Sequence, residues 1–301
     1  MDVFLIFLLV LNVSLSPVTS LPKTTNRIVG GSLTSSEEFP FMVSLHRKYG
    51  GHICGATIIA SLWTMTAAHC LLHDTNVTFF SAEELRMVRG ADGMDCRMSY
   101  ITRRKTEERD VYGVYVHSLF IFSIVLNDIA LVKVREPWDR SAKHVPMMLS
   151  QWSEVNQFVR HSCTVVGWGS TNAAGCTGNV VNKIYARLKM ARKDIIDMEE
   201  CRRMVAATIM VVDFQNLCTY NNGSNNCQGG TGGPLLCNET QVGIVSWGQG
   251  CAHVDSPSVH VRVDYHLDWI DFIMMKNGQA AGHAASTLAL PLASLLLVAV
   301  R

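Results

Sequence analysis

Short apolar runs broken by turn residues set the first limit on this chain. Residues 41–45, 56–59, 129–134, 163–166 and 243–247 are each a brief apolar stretch between turn signals. Many short strands at such spacing fold into barrels or sandwiches. The pattern is all-β from Ile28 to about Lys276, with one departure. Residues 267–275 place apolar side chains at helical spacing and read as a closing amphipathic helix. There is no internal repeat, and no low-complexity linker before Asn277.

The two ends indicate a compartment. Val3 to Leu15 is almost wholly apolar, and Pro17, Val18, Thr19 and Ser20 supply small residues for cleavage. Residues 1–20 therefore read as a secretory signal peptide. The run is short for a membrane span of about 20 residues; a buried N-terminal helix is the alternative. At the other end, a spacer of small and polar residues (277–286) precedes an apolar run from Leu288 to Val300, and only Arg301 follows. Residues 277–301 thus have the form of a lipid-anchor (GPI) signal. A short membrane span and a plain disordered tail are the alternatives. The expected location is the secretory pathway, ending at the extracellular face of the plasma membrane. Ten cysteines in a chain of 301 residues then point to disulfides. A net charge of +1 gives no basis for a nucleic-acid partner. No metal-ligand spacing occurs, and no cofactor is expected. The charge cluster 103–110 and the remaining histidines read as solvated surface.

Several motifs then appear in one order. Arg27 and Ile28 precede Val29, Gly30 and Gly31. His69 closes the run 63–70, and Asp128 lies in Asn127-Asp128-Ile129-Ala130-Leu131. Gly167-Trp168-Gly169 and Ser246-Trp247-Gly248 follow, on either side of Gly229-Gly230-Thr231-Gly232-Gly233-Pro234. Together they resemble the trypsin-like serine proteases, over the span 28–276. The resemblance implies two packed six-stranded β-barrels with a C-terminal helix and an active site between the barrels. It also implies a short propeptide, 21–27, with an activating cut between Arg27 and Ile28. By resemblance Cys54 pairs with Cys70, Cys163 with Cys237, Cys201 with Cys218, and Cys227 with Cys251. Cys96 and Cys176 remain. They fall in segments resembling loops on one side of the family's fold, so a fifth bridge is expected; free or intermolecular thiols are the alternative.

The resemblance implies His69 as general base, Asp128 as its orienting carboxylate, and the amides of Gly229 and Thr231 as oxyanion donors. It breaks at two positions. Where the family's loop reads Gly-Asp-Ser-Gly-Gly-Pro, this chain has Gly230 for the aspartate and Thr231 for the serine. Threonine keeps a hydroxyl, but its β-branch restricts χ1, and a misplacement of about 1 Å costs on the order of a hundredfold. The missing aspartate matters more. In the family it receives the new N-terminal ammonium and orders the pocket; losing one partner of such a buried pair typically costs about 3–5 kcal/mol. Asp255 is the alternative acid. Asn225 stands at the pocket base where an acid would select Arg or Lys, and Ser258 narrows the pocket wall. Ser246, Trp247 and Gly248 form the strand that pairs with a bound peptide; ordinary barrel structure is their other reading. The segment resembling the family's calcium loop, 91–95, carries too few acids for a calcium site to be assigned to it.

The expectation is a degenerate, zymogen-like protease homologue that binds a protein or peptide, protease inhibitors among the ligand classes. The alternative is a weak endopeptidase using Thr231. Asn76, Asn222 and Asn238 open N-glycosylation sequons. Asn222 adjoins the expected pocket, so a glycan there would hinder long ligands.

Overall fold

The computed structural model describes residues 31–49, 51–73, 78–95, 106–139, 161–168, 184–220, 230–248 and 256–278. The first half rolls into a closed barrel. Its strands are β2 (Met42–Arg47), β3 (His52–Ala60), β4 (Trp63–Thr66), β5 (Leu85–Arg89), β7 (Glu107–Val116) and β8 (Ala130–Val134). Their order is β2-β3-β4-β8-β7-β5, and β5 pairs back onto β2. Closure leaves no unpaired edge, which suits strands as apolar as these.

The second half repeats the solution. Its strands are β9 (Ser162–Gly167), β11 (Lys189–Ile196), β12 (Asn216–Tyr220), β13 (Pro234–Cys237), β14 (Thr240–Gly248) and β15 (Ser258–Arg262). The order β11-β12-β15-β14-β13-β9 returns on itself because β9 also pairs with β11. β1 (Ser32–Leu33) adds onto β11. A small ladder joins β6 (Gly93–Asp95) to β10 (Ile184–Arg187). All five apolar runs read from the sequence fall on strands, and α2 (Leu267–Lys276) closes the chain as expected.

One apolar core spans both halves. Trp63, Met65 and Leu131 of the first barrel share it with Val166, Trp168 and Ile244 of the second, and Ile270 and Met274 of α2 seal it. A buried hydrogen bond crosses between the barrels, from Thr57 Oγ1 to Gln241 Oε1 at 2.8 Å. Three of the expected disulfides are formed, Cys54–Cys70, Cys163–Cys237 and Cys201–Cys218. The pairings of Cys227 with Cys251 and of Cys96 with Cys176 lie outside the described residues.

Three expectations are corrected. A second helix, α1 (Met198–Val205), is present; Asp197 caps it by accepting from the amides of Glu199 and Glu200. The histidines are not all solvated. His46, His260 and His266 are buried, each taking a hydrogen bond inside the fold: to Ser44, to Thr219 and to the Arg262 carbonyl. Nor is the described part of the charge cluster a loose surface. Glu107 opens β7 and accepts from Arg89 Nη1 at 2.7 Å, from Arg109, and from the Asp139 amide at 2.7 Å. Residues 103–105 lie outside the described residues.

Candidate active site

His69 sits on a single 3-10 turn, Ala68–Leu71, directly after β4. The next residue, Cys70, is bridged to Cys54 on β3, so the turn is tied to the barrel wall. Asp128 lies just before β8 and is fully buried. The backbone entering it is left-handed at two non-glycine residues, Val125 (φ 52°) and Asn127 (φ 51°). A β-branched residue is strained there. Two contacts hold the bend: the Asn127 amide donates to Gln215 Oε1, and Asn127 Nδ2 donates to the Leu119 carbonyl at 2.9 Å.

Asp128 accepts three hydrogen bonds. The His69 backbone N–H donates to Oδ1 at 2.8 Å, and His69 Nδ1 lies 2.7 Å from Oδ2. The Ser246 hydroxyl, from the second barrel, donates to the same Oδ2 at 2.5 Å. Burial pushes the Asp128 carboxyl up, but the His69 charge and these hydrogen bonds prevail and hold it below its ordinary value. Burial likewise disfavours the imidazolium of His69. The charge of Asp128 and its hydrogen bond outweigh that, and the His69 pKa is raised. A carboxylate can only accept, so Nδ1 carries the proton and Nε2 is left as the outward nitrogen.

The loop bearing Thr231 is pinned from both sides. The Gly55 amide donates to the Thr231 carbonyl at 2.8 Å, the Gly232 amide to Val245 O at 2.8 Å, and the Val245 amide to Gly233 O at 2.8 Å. Such close approach explains the glycines. Gly232 has φ 78°, and a Cβ there would lie 2.3 Å from the Gly55 carbonyl oxygen and 2.4 Å from Thr66 Oγ1. A Cβ on Gly233 would lie 2.5 Å from the Val166 carbonyl oxygen.

These contacts bring the separate motifs together. Gly55 adjoins Cys54, whose bridge to Cys70 leads to His69. Val245 adjoins Ser246, whose hydroxyl is on Asp128. Thr231 is therefore linked to the His69–Asp128 pair through both barrels. It is half-buried. Among the described residues no hydrogen bond joins its hydroxyl to His69 Nε2, and its amide has no protein acceptor. Gly230 brings no carboxylate into the loop.

The strand expected to meet a peptide is half open. β13 is opposite β14 only as far as Ile244, and Val245 makes the last contacts on that side, to Gly232 and Gly233. β15 covers the other side, with Trp247 opposite Val259 and Gly248 opposite Ser258. Among the described residues, the backbone of residues 246–248 thus has no strand partner facing the cleft. Ser258 is buried on β15. Asn225, Gly229, Arg27, Ile28, Asp255, Asn76 and Asn222 lie outside the described residues. Asn238 lies on the exposed β13–β14 turn, where it and Glu239 both have positive φ (49° and 63°).

Two contributions were not foreseen from the sequence. Ser246 was expected only as part of a strand, yet its side chain orients Asp128. Gln215 supports the bend before Asp128, and no sequence signal marks it. In the segment 91–95, Asp92 Oδ1 accepts from the Ser36 amide at 2.7 Å and the Ala91 carbonyl from Trp168 Nε1 at 2.8 Å. No cluster of three or more potential metal ligands occurs among the described residues.

A buried carboxylate holding an imidazole, beside a tight glycine loop between two β-barrels, is the machinery of proton abstraction from a hydroxyl. The sequence agrees over most of its length: the family model described as Trypsin matches residues 28–270. The chain therefore belongs to the trypsin family.

Proposed function

We propose that this protein is a secreted trypsin-like protease homologue that binds a protein or peptide in the cleft and does not cut it. The carrying observation is the Gly230-Thr231 pair in the loop beside an intact His69–Asp128 couple. His69 and Asp128 are hydrogen-bonded to each other, as a base and its orienting acid would be, but no hydrogen bond joins the Thr231 hydroxyl to the imidazole. Without a carboxylate at Gly230, an Ile28 ammonium freed after Arg27 has no partner in the loop. The half-open backbone of residues 246–248 supports peptide binding by strand addition. Protease inhibitors are one class of ligand that such a cleft would engage without turnover.

The test is covalent labelling of the Arg27-cleaved protein with a fluorophosphonate. The proposal expects no adduct on Thr231. Stoichiometric labelling would establish the second reading, a weak endopeptidase. The oriented imidazole and the unpaired Thr231 amide, a donor suited to an oxyanion, favour that reading.

The proposed location is the cell surface, through a lipid attached near Asn277 or Gly278. No helix among the described residues is long and apolar enough to cross a membrane. The support is the spacer and apolar run of residues 277–301. Phosphatidylinositol-specific phospholipase C should release the protein from cells; recovery of Arg301 in the membrane-bound chain would establish a peptide anchor instead.

A further inference from the structure

We infer that the cleft recognises the free carboxylate at the C-terminus of a peptide, so that its ligands are polypeptide ends rather than internal segments. The inference rests on the binding reading above and names the chemistry that would be bound.

Thr231 is the starting point. Its amide and its hydroxyl are both donors, and neither has a protein acceptor among the described residues. The loop holds the amide in place. Its backbone is fixed by the bonds from Gly55, to Val245 and within the loop from the Gly233 amide to Gly230 O at 3.1 Å. His69 supplies a third polar group. Its Nδ1 is occupied by Asp128, its side chain is 27% exposed, and its Nε2 takes up a proton in the charged form. The raised pKa of His69 favours that form. Among the described residues, Asp128 is the acid bonded to His69, and the three donors around it offset its charge towards a bound anion.

A carboxylate matches this set better than a peptide carbonyl does. It has two oxygens and about four acceptor positions, and its hydrogen bonds are roughly twice as strong as those of neutral groups. An internal peptide bond presents one neutral oxygen and must continue past Thr231, where the β-methyl adds bulk. A chain ending there avoids that crowding. The preceding residues can still lie along the half-open backbone of residues 246–248. The bound state would resemble a cleavage product, with no bond made or broken.

The experiment uses the full chain in detergent and an array of dodecapeptides, each synthesised as free acid and as C-terminal amide. The strongest hits are then titrated in solution. Amidation should weaken binding by about tenfold or more. Binding of the acid form should fall as pH rises through the His69 titration, because the imidazolium is lost. Thr231→Val, which removes one donor at nearly constant shape, should weaken the acid more than the amide, because a charged acceptor gains more from each donor. Equal affinity for acid and amide overturns this inference and leaves the binding reading standing. Hits among amides that all carry Asp or Glu at the last position would assign the carboxylate to a side chain and overturn the chain-end reading. Absence of binding in either form overturns both, and cleavage of the peptides overturns the proposed function itself.

Discussion

Two adjacent residues, Gly230 and Thr231, carry the proposed loss of activity. Beside them Asp128 is buried, accepts from Ser246, and is bonded to His69. Thr231→Ser alone should therefore not give appreciable peptide hydrolysis, because the loop would still lack its acid. Thr231→Ser with Gly230→Asp, cut after Arg27, should give measurable turnover of a chromogenic peptide. Robust hydrolysis by the single variant would falsify the weight placed here on Gly230. His69, Asp128 and the departures in the loop were all legible in the sequence, because each sits in a motif whose neighbours identify it. Ser246 and Gln215 were not legible as supports. Their roles depend on contacts across the barrel interface, and no spacing along the chain encodes those.

Strands were easier to read than helices. The five apolar runs became β2, β3, β8, β9 and β14, strands buried along most of their length on both faces, which demands near-continuous apolar character. The helix α1 escaped because it buries little, Cys201 and Val205 alone being buried in it. Its signal was instead at its ends. Asp197 caps it, Glu199 and Glu200 occupy the first turn, and Arg202 and Arg203 the last, as the helix dipole favours. Asp197→Ala should cost about 1 kcal/mol of stability in chemical denaturation. No change in the midpoint would mean that the Cys201–Cys218 bridge and the packing of Val205 hold the helix without its cap.

At the scale of the whole molecule, buried histidines tie stability to pH. His46 is lowered to about 3 by burial and by the nearby His52 and Arg86. His260 is lowered to about 3 by burial and by Lys193. His266 is lowered to about 4, mainly by burial, with His117 and Arg262 adding to the effect while the Arg262 carbonyl and Asp264 oppose it. The second ring nitrogens His260 Nδ1 and His266 Nε2 are buried without a hydrogen bond. A proton added there would point at no acceptor, which adds to the cost of burying the charged ring. An unfolded chain faces no such penalty and protonates these groups near their usual value of about 6.5. Below that pH the unfolded state binds more protons than the folded one, so stability falls as pH falls. The loss should run from about pH 6.5 down towards the folded values near 4 and 3. Each histidine contributes a slope of up to about 1.4 kcal/mol per pH unit. His69 works in the opposite sense. Its pKa is raised, so its contribution is full below about pH 6.5 and is lost as pH rises through the folded value. Asp128, held low, contributes above the ordinary carboxylate range and loses that contribution only in stronger acid. Between pH 6.5 and 4 the three buried histidines should therefore dominate. Denaturant unfolding at half-unit pH steps should show stability declining across this window with a slope approaching three protons. His260→Gln should reduce that slope by about one proton, whatever it does to stability at pH 7.5. A flat profile between pH 6.5 and 4.5, or a slope unchanged in the variant, would mean that these rings are protonated in the folded protein.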